Sequence, residues 1–195
     1  AWVMAALLAV LVVWLFLRDW RATLISAAAL PLSAIPTFWV MGLIGFSLNL
    51  VSLLGITLVV GILVDDAIVE IENIVRHIRM GKSPYRASLE AADEIGLAVI
   101  AISITIIAIF APVSFMGGVA GQYFKQFGLT VAIAVFFSLL VARLITPMMA
   151  AYLMREPKHH DEGRDGFIMR GYLATLRASV RFRWITLIAG VGFFV

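Results

Sequence analysis

Long stretches without a charged residue alternate with short polar connectors along the chain, and 63% of the 195 residues are hydrophobic. A helix that crosses a bilayer needs about 20 apolar residues to span a hydrocarbon core of about 30 Å. Each long uncharged stretch therefore predicts one or two transmembrane helices. We predict an all-α fold, a polytopic transmembrane helix bundle over residues 1–154 followed by one amphipathic interfacial helix. The predicted spans lie at about residues 1–17, 22–44, 50–78, 95–115 and 126–154.

The stretch from residue 22 to residue 64 is too long for one membrane crossing. Its 43 residues carry no charge. As a single helix they would extend about 65 Å, about twice the thickness of the hydrocarbon core. The chain must therefore reverse within this stretch, and Gly45, Ser47 and Asn49 are residue types that favour a turn.

The C-terminal part of the chain has a different pattern. Residues 155–166 are charged, and we predict that they form a cytoplasmic linker. In residues 167–182, apolar side chains recur at helical spacing with arginines between them, which is typical of a helix on a membrane surface. The alternative is a helix that packs on another soluble domain. Residues 184–195 begin a further span but are too few to cross a bilayer, so we expect the chain to be part of a longer protein.

Basic residues mark one side of the predicted membrane protein. All lysines and arginines except Lys125 and Arg143 lie in or beside the connectors 18–21, 76–86 and 155–183. Because cytoplasmic connectors are enriched in lysine and arginine, we predict that these three connectors face the cytoplasm. The net charge of +3 follows from this asymmetry and predicts no nucleic-acid partner.

The residue types present exclude several kinds of site. The chain has no cysteine, which excludes disulfides and thiolate metal sites. His159 and His160 lie in the charged linker, where we expect them to be solvated. We therefore expect no metal site and no cofactor.

Two neighbouring aspartates, Asp65 and Asp66, lie near the middle of the predicted third span. A charge at the bilayer centre costs about 3 kcal/mol on insertion scales, so both acids need partners or a wet cavity. Burial and like charge favour protonation, and the two acids should bind and release protons as a coupled unit. We predict that both are buried and form a proton relay. The alternative is a structural pair that neighbouring hydroxyl groups or a lysine satisfy.

Further polar residues extend from the aspartates toward the predicted cytoplasmic side. Asp65 shares a helix face with Glu72, and Asp66 shares a neighbouring face with Glu70 and Asn73. These residues are candidates for a proton path. The alternative is that Glu70, Glu72 and Asn73 lie among lipid headgroups near the end of the helix.

Arg143 is a second charge within a predicted span, at a depth similar to that of Glu70. We hypothesise that Arg143 pairs with Glu70 or Glu72. The alternative is that its long side chain reaches the headgroups while its stem stays in the apolar region.

The segment from Gly61 to Asn73 resembles the fourth transmembrane helix of the resistance–nodulation–division (RND) superfamily. The resemblance is greatest to the hydrophobe/amphiphile efflux pumps of Gram-negative inner membranes, and it identifies the chain as a fragment of the N-terminal transmembrane half of a multidrug efflux pump. Glu70 and Arg143 depart from the family pattern, which usually has apolar residues there. The matching residues are 64–69 and 72–73, with further matches at 16–25, 112–118, 124–127 and 146–147.

The resemblance implies a transporter and not an enzyme, namely a proton/drug antiporter with protons as the coupling ion. Asp65 and Asp66 match the two relay aspartates of the family. Their partner lysine lies on a later helix, in the remainder of the same pump. The resemblance further implies a homotrimer in the lipid of the bacterial inner membrane that works with a periplasmic adaptor and an outer-membrane channel.

Other hypotheses predict different features. The chain could belong to a non-drug RND relative, such as a lipid or metal exporter or a protein-translocation accessory, although the metal-exporting branch typically keeps only one aspartate. An intramembrane aspartyl protease would need carboxylates on two helices that face one water, whereas the acids here are neighbours in one span. A purely structural membrane scaffold would not explain two costly acids in the middle of a span.

Overall fold

The computed structural model describes residues 8, 10–12, 14–15, 19–155 and 167–194. The predicted span 1–17 lies mostly outside these residues. The linker beyond Arg155, with His159 and His160, lies wholly outside them. Every regular element in the described part of the chain is a helix, which confirms the all-α prediction.

The described part of residues 1–157 forms one compact unit of helices. Its elements are α1 (Trp20–Leu43), α2 (Leu50–Arg79), α3 (Pro84–Val113), α4 (Gly118–Leu140), a π-helical turn (Val141–Ile145) and α5 (Thr146–Leu153). The segments long and apolar enough to cross a membrane are Trp20–Leu43, Leu50–Arg79, Pro84–Val113 and Gly121–Leu153, the last of which runs through the π-helical turn. In α3 the uncharged, membrane-crossing part begins at residue 95, after polar turns.

Polar contacts at both ends of the unit show that consecutive segments run in opposite directions. The Arg21 guanidinium donates a hydrogen bond to the Leu153 carbonyl oxygen at 2.6 Å, which joins the start of α1 to the end of α5. At the other end, the Asn49 side-chain amide donates to the Gln126 side chain, which joins the start of α2 to α4. The chain between α1 and α2 turns at Gly45, whose φ of 74° is a conformation that glycine adopts without a steric cost.

Local sequence signals explain where the helices begin. Asn49 accepts a hydrogen bond from the backbone N–H of Ser52, and the Ser52 hydroxyl accepts one from the backbone N–H of Asn49, each at 2.9 Å. This reciprocal capping satisfies two donors that a helix N-terminus otherwise leaves open. Helix α3 begins at Pro84, a residue that the first helical position favours because it needs no backbone donor.

The core at the basic end of the unit is built largely from small side chains. Ala22 on α1, Ala87 and Ala91 on α3, and Ala150 on α5 each have no exposed surface. Alanines at such contacts let helices approach closely, as membrane bundles require. The larger side chains of this cluster come mainly from α1 and α2 and are Ile25, Ile71, Ile74, Val75 and Ile78.

Residues 158–195 form a second unit, in which the described elements are α6 (Phe167–Arg181) and α7 (Arg183–Phe194). Helix α6 covers the segment predicted as amphipathic, and α7 covers the segment predicted to begin a further span. The Thr186 hydroxyl, on α7, donates hydrogen bonds to the carbonyl oxygens of Ser179 and Phe182, each at 3.2 Å.

Helices α3 and α4 meet at Gly128, far from the basic end. A Cβ atom at Gly128 would lie 2.5 Å from the Phe110 carbonyl oxygen and 2.5 Å from the Ser114 hydroxyl oxygen. Both distances are shorter than van der Waals contact, and the first involves backbone that cannot rotate away. Glycine is therefore required at position 128 for the observed separation of the two helices.

We expect Gly128→Ala to lower the thermal unfolding midpoint of the detergent-purified protein. The added methyl group must push α3 and α4 apart, and overpacking of this kind costs about 1–3 kcal/mol. The matched control is Gly42→Ala, because a Cβ atom at Gly42 would meet nothing within 4 Å. An equal midpoint for the two variants would contradict the close contact.

Candidate functional site

Helix α2 carries the predicted site in its middle. It is 30 residues long, with the Asn49 cap at one end and Arg76, His77 and Arg79 at the other. Asp65 and Asp66 lie about halfway along it. Because the helix is about 45 Å long, both aspartates lie about 20 Å or more from either end, at about the depth of the bilayer centre.

Asp66 points into the helix bundle. It is 8% exposed, and the hydroxyl of Ser138 on α4 donates a hydrogen bond to its Oδ2 atom at 3.0 Å. Beside it, a small cluster of Ala29, Ala67 and Val141 closes the contact between α1, α2 and the π-helical turn. The described part of the protein therefore gives Asp66 a neutral hydrogen-bond donor inside a packed site.

Asp65 lies on a different surface from its neighbour. It is exposed, and it lies in line with the exposed residues Leu54, Leu58, Gly61 and Glu72 along α2. The prediction that both aspartates are buried is therefore wrong for Asp65. Successive side chains of a helix point about 100° apart, so the contact that buries Asp66 cannot also bury Asp65.

Glu70 and Arg143 form a buried ion pair, which is one of the pairings that the sequence predicts for Arg143. The Glu70 side chain has no exposed surface, and the Nη1 atom of Arg143 lies 3.2 Å from its Oε2 atom. The other oxygen, Oε1, accepts no hydrogen bond from the described residues. Glu72, by contrast, is exposed on the same face as Asp65.

Gly96 on α3 makes room for this ion pair. A Cβ atom at Gly96 would lie 2.6 Å from the Nη2 atom of Arg143. A larger residue at position 96 would therefore force the guanidinium to move from its observed position beside Glu70. Three helical segments thus build the pair, since α2 supplies the acid, the π-helical turn supplies the base and α3 supplies the space.

Asn73 connects α2 to α3. Its amide nitrogen donates a hydrogen bond to the Ala91 carbonyl oxygen at 3.1 Å, and its amide oxygen accepts one from Arg76 at 2.6 Å. These bonds satisfy both ends of a side chain that is only 7% exposed. A place for Glu70, Glu72 and Asn73 in a proton path stays a prediction.

A polar cluster at the basic end of the unit surrounds His77. The Lys82 ammonium lies 2.9 Å from His77 Nδ1, and because an ammonium group can only donate, Nδ1 accepts. The proton of the neutral ring is then on Nε2, which donates to the Glu94 carboxylate at 2.7 Å. Lys82 also pairs with Glu90.

Glu94 holds this cluster together from α3. It lies just before the membrane-crossing part of that helix, which begins at residue 95. Hydrogen bonds from His77 and then Arg76 lower the pKa of Glu94 to about 2. The carboxylate therefore stays ionised and joins the end of α2 to the start of α3.

Ser138 and Gly96 belong to the site, yet no sequence pattern distinguishes either residue. A single serine in a long apolar run is common in membrane helices, and its partner is 72 residues away in the chain. The only sequence signal for this part of the site was Arg143, which lies on the fourth membrane-crossing segment as Ser138 does and also contacts α2. The role of Gly96 is evident only from the structure, in which the Arg143 guanidinium lies against it.

Comparison with known proteins shows which sequences this chain is similar to. The sequence profile of the AcrB/AcrD/AcrF family matches residues 1–195. The chain is 42% identical over 194 residues to the multidrug resistance protein MdtC of Pectobacterium atrosepticum, which is 95% of this chain and 19% of that protein. It is 46% identical over 181 residues to MdtC of Proteus mirabilis, which is 89% of this chain and 18% of that protein. The chain thus spans about a fifth of the length of these curated relatives.

We expect the Glu70–Arg143 pair to tolerate exchange but not loss of one partner. Glu70→Arg or Arg143→Glu alone places two like charges in a buried site, and an unpaired buried charge costs about 3–5 kcal/mol. The double exchange restores an opposite pair and should recover most of the lost thermal stability in detergent. A double variant no more stable than the single variants would contradict the pairing.

Proposed function

The chain belongs to the AcrB/AcrD/AcrF family of the RND superfamily, and we propose that it carries the acidic half of the proton relay in a proton-driven multidrug efflux pump. The family and the apolar helices make it part of a multi-pass membrane protein. The proposal adds the coupling ion, the relay residues and a place in the bacterial inner membrane.

The observation that carries the proposal is the different environment of two neighbouring acids at mid-membrane depth. Asp66 has a hydroxyl donor from Ser138, whereas Asp65 makes no ion pair or hydrogen bond with the described residues and lies on an apolar stripe. An exposed carboxylate at this depth needs a partner, because lipid offers it no hydrogen bond. The lysine expected from the remainder of the pump would supply that partner.

The proposed cycle uses the charge of the two aspartates as a switch. When Asp65 and Asp66 are ionised, they hold the lysine beside α2. Protonation neutralises them and releases the lysine, so the helices around α2 adopt a second arrangement that the protons favour. Each proton that crosses the membrane supplies about 2.3 kcal/mol per 100 mV of potential.

The assignment extends to the partners of the whole pump. We propose a homotrimer that works with a periplasmic adaptor and an outer-membrane channel, with lipid around the exposed helix faces. The chain spans only about a fifth of its relatives, so substrate specificity resides elsewhere in the pump. We further propose that the protein needs no bound cofactor and that protons alone couple it to the membrane potential.

The other hypotheses fit the described residues less well. A protease would need facing carboxylates on two helices, whereas the acids within the described membrane-crossing parts all lie on α2. A lipid or metal exporter or a translocation accessory would share the fold. Drug efflux is favoured because the similar proteins are named multidrug resistance proteins.

We expect Asp65→Asn and Asp66→Asn each to abolish drug resistance in cells that produce the full-length pump. Asparagine keeps the size of the side chain but can neither carry the charge nor bind the proton. Trimer assembly, measured by size-exclusion chromatography in detergent, should be unchanged.

The matched control is Asp93→Asn, which removes an exposed carboxylate before the membrane-crossing part of α3. This variant should retain drug resistance. Resistance retained by Asp65→Asn or Asp66→Asn would defeat the relay assignment.

A further inference from the structure

The two buried acids of α2 and their two partners on the fourth membrane-crossing segment are spaced differently along the chain. Asp66 and Glu70 on α2 are four residues apart, whereas their partners Ser138 and Arg143 are five apart. On regular α-helices, residues four apart diverge by about 40° and residues five apart by about 140°. An uninterrupted α-helix would therefore turn Arg143 away from α2 when Ser138 faces Asp66.

The π-helical turn reduces this mismatch. It covers Val141–Ile145, and the backbone N–H of Thr146 donates to the carbonyl oxygen of Val141, five residues earlier. A π-helical turn takes one residue more than an α-helical turn, so it brings position 143 closer to the face of Ser138. Such turns are rare and occur frequently at functional sites.

Side-chain contacts hold the π-helical turn in place. Val141 and Ala142 are buried, and Val141 packs with Ala29 and Ala67. Arg143 adds the only ionic contact of the turn with a described residue, at 3.2 Å from Glu70, and it occupies the space above Gly96.

We propose that Glu70 and Arg143 are a positioning pair, which anchors the π-helical turn and so keeps the Ser138 hydroxyl within hydrogen-bond distance of Asp66. The pair then acts on Asp66 through the register of the fourth membrane-crossing segment. This inference rests on the proposed function and deepens it, because it assigns a role in the relay to two residues that are not the relay aspartates.

The groups that face Asp66 are few, which makes the proposal testable. From its own helix they are Asp65 and Glu70, and from the facing segment they are Ser138 and Arg143. The membrane-crossing parts of α1 and α3 place no ionisable side chain among the described residues near it. The lysine proposed for the remainder of the pump is common to every variant, so differences between variants report on these described groups.

The test is an infrared titration of the Asp66 carboxyl group in the full-length pump, with its band assigned by its absence in Asp66→Asn. Ser138→Ala should shift the pH of half-protonation by about one unit, because it removes the hydrogen bond that Asp66 accepts. The apolar pair Glu70→Val with Arg143→Leu should shift it in the same direction. The control Ser103→Ala removes another buried hydroxyl, one without a described partner, and should leave it unchanged.

The triple variant separates positioning from direct electrostatics. If the Glu70–Arg143 pair acts through Ser138, then adding Glu70→Val and Arg143→Leu to a protein that already carries Ser138→Ala should cause no further change in the titration of Asp66. A direct effect of the two charges on Asp66 would add to that of Ser138→Ala and would overturn the proposal. A wild-type titration in the apolar pair variant would also overturn it.

Gly96→Ala provides a second route if the apolar pair variant does not assemble. The added methyl group would lie 2.6 Å from the Nη2 atom of Arg143, so it forces the guanidinium beside Glu70 to move without removing either charge. It should shift the Asp66 titration in the same direction as Ser138→Ala, and an unchanged titration would contradict the proposal. Failure of the relay assignment itself would show separately, as drug resistance retained by Asp66→Asn.

Discussion

A carboxylate inside a membrane-crossing helix must have a partner, and this requirement organises the middle of the protein. The acids of α2 meet this need for a partner to different extents. Glu70 has Arg143, a base that never loses its charge, so the pair is fixed. Asp66 has Ser138, a neutral donor that suits the charged form but also tolerates the protonated one. Asp65 has no described partner at all, which leaves its charge open to control from outside this part of the chain.

The sequence predicted the fold well because the dominant signal was the length of the uncharged stretches. Uncharged stretches must match the thickness of the bilayer, so the helices and the reversal near Gly45 follow from counting. The polar residues were harder to place. Asp65 and Asp66 read alike in the sequence, yet one is buried and one is exposed, because that difference depends on which side of α2 the other helices occupy. Because charges are rare in spans, the sequence predicts that Arg143 pairs with Glu70 or Glu72, but it does not distinguish between these two acids. Ser138 and the π-helical turn could not be predicted, since neither has a distinctive residue pattern.

The two polar regions of α2 differ in how firmly they are held. At the basic end, Asn73, Arg76 and His77 bind groups on α3, and Lys82 and Glu90 reinforce them. Nearly every donor and acceptor there has a partner, and the neutral form of His77 is fixed by its two neighbours. In the middle of the helix the aspartates have few partners. A helix fixed at one end and sparsely bonded at its centre is suited to the proton-controlled motion that we propose.

The contact at Gly128 limits what that motion can be. Because α3 and α4 approach too closely at Gly128 to admit even a methyl group, a side chain carried into this crossing would meet the Phe110 carbonyl oxygen. Sliding of one helix along the other is therefore disfavoured, and we expect the two helices to tilt together. In the motion proposed above, a change beside Asp66 would reach the Phe110 end of α3 as a displacement of the joined pair.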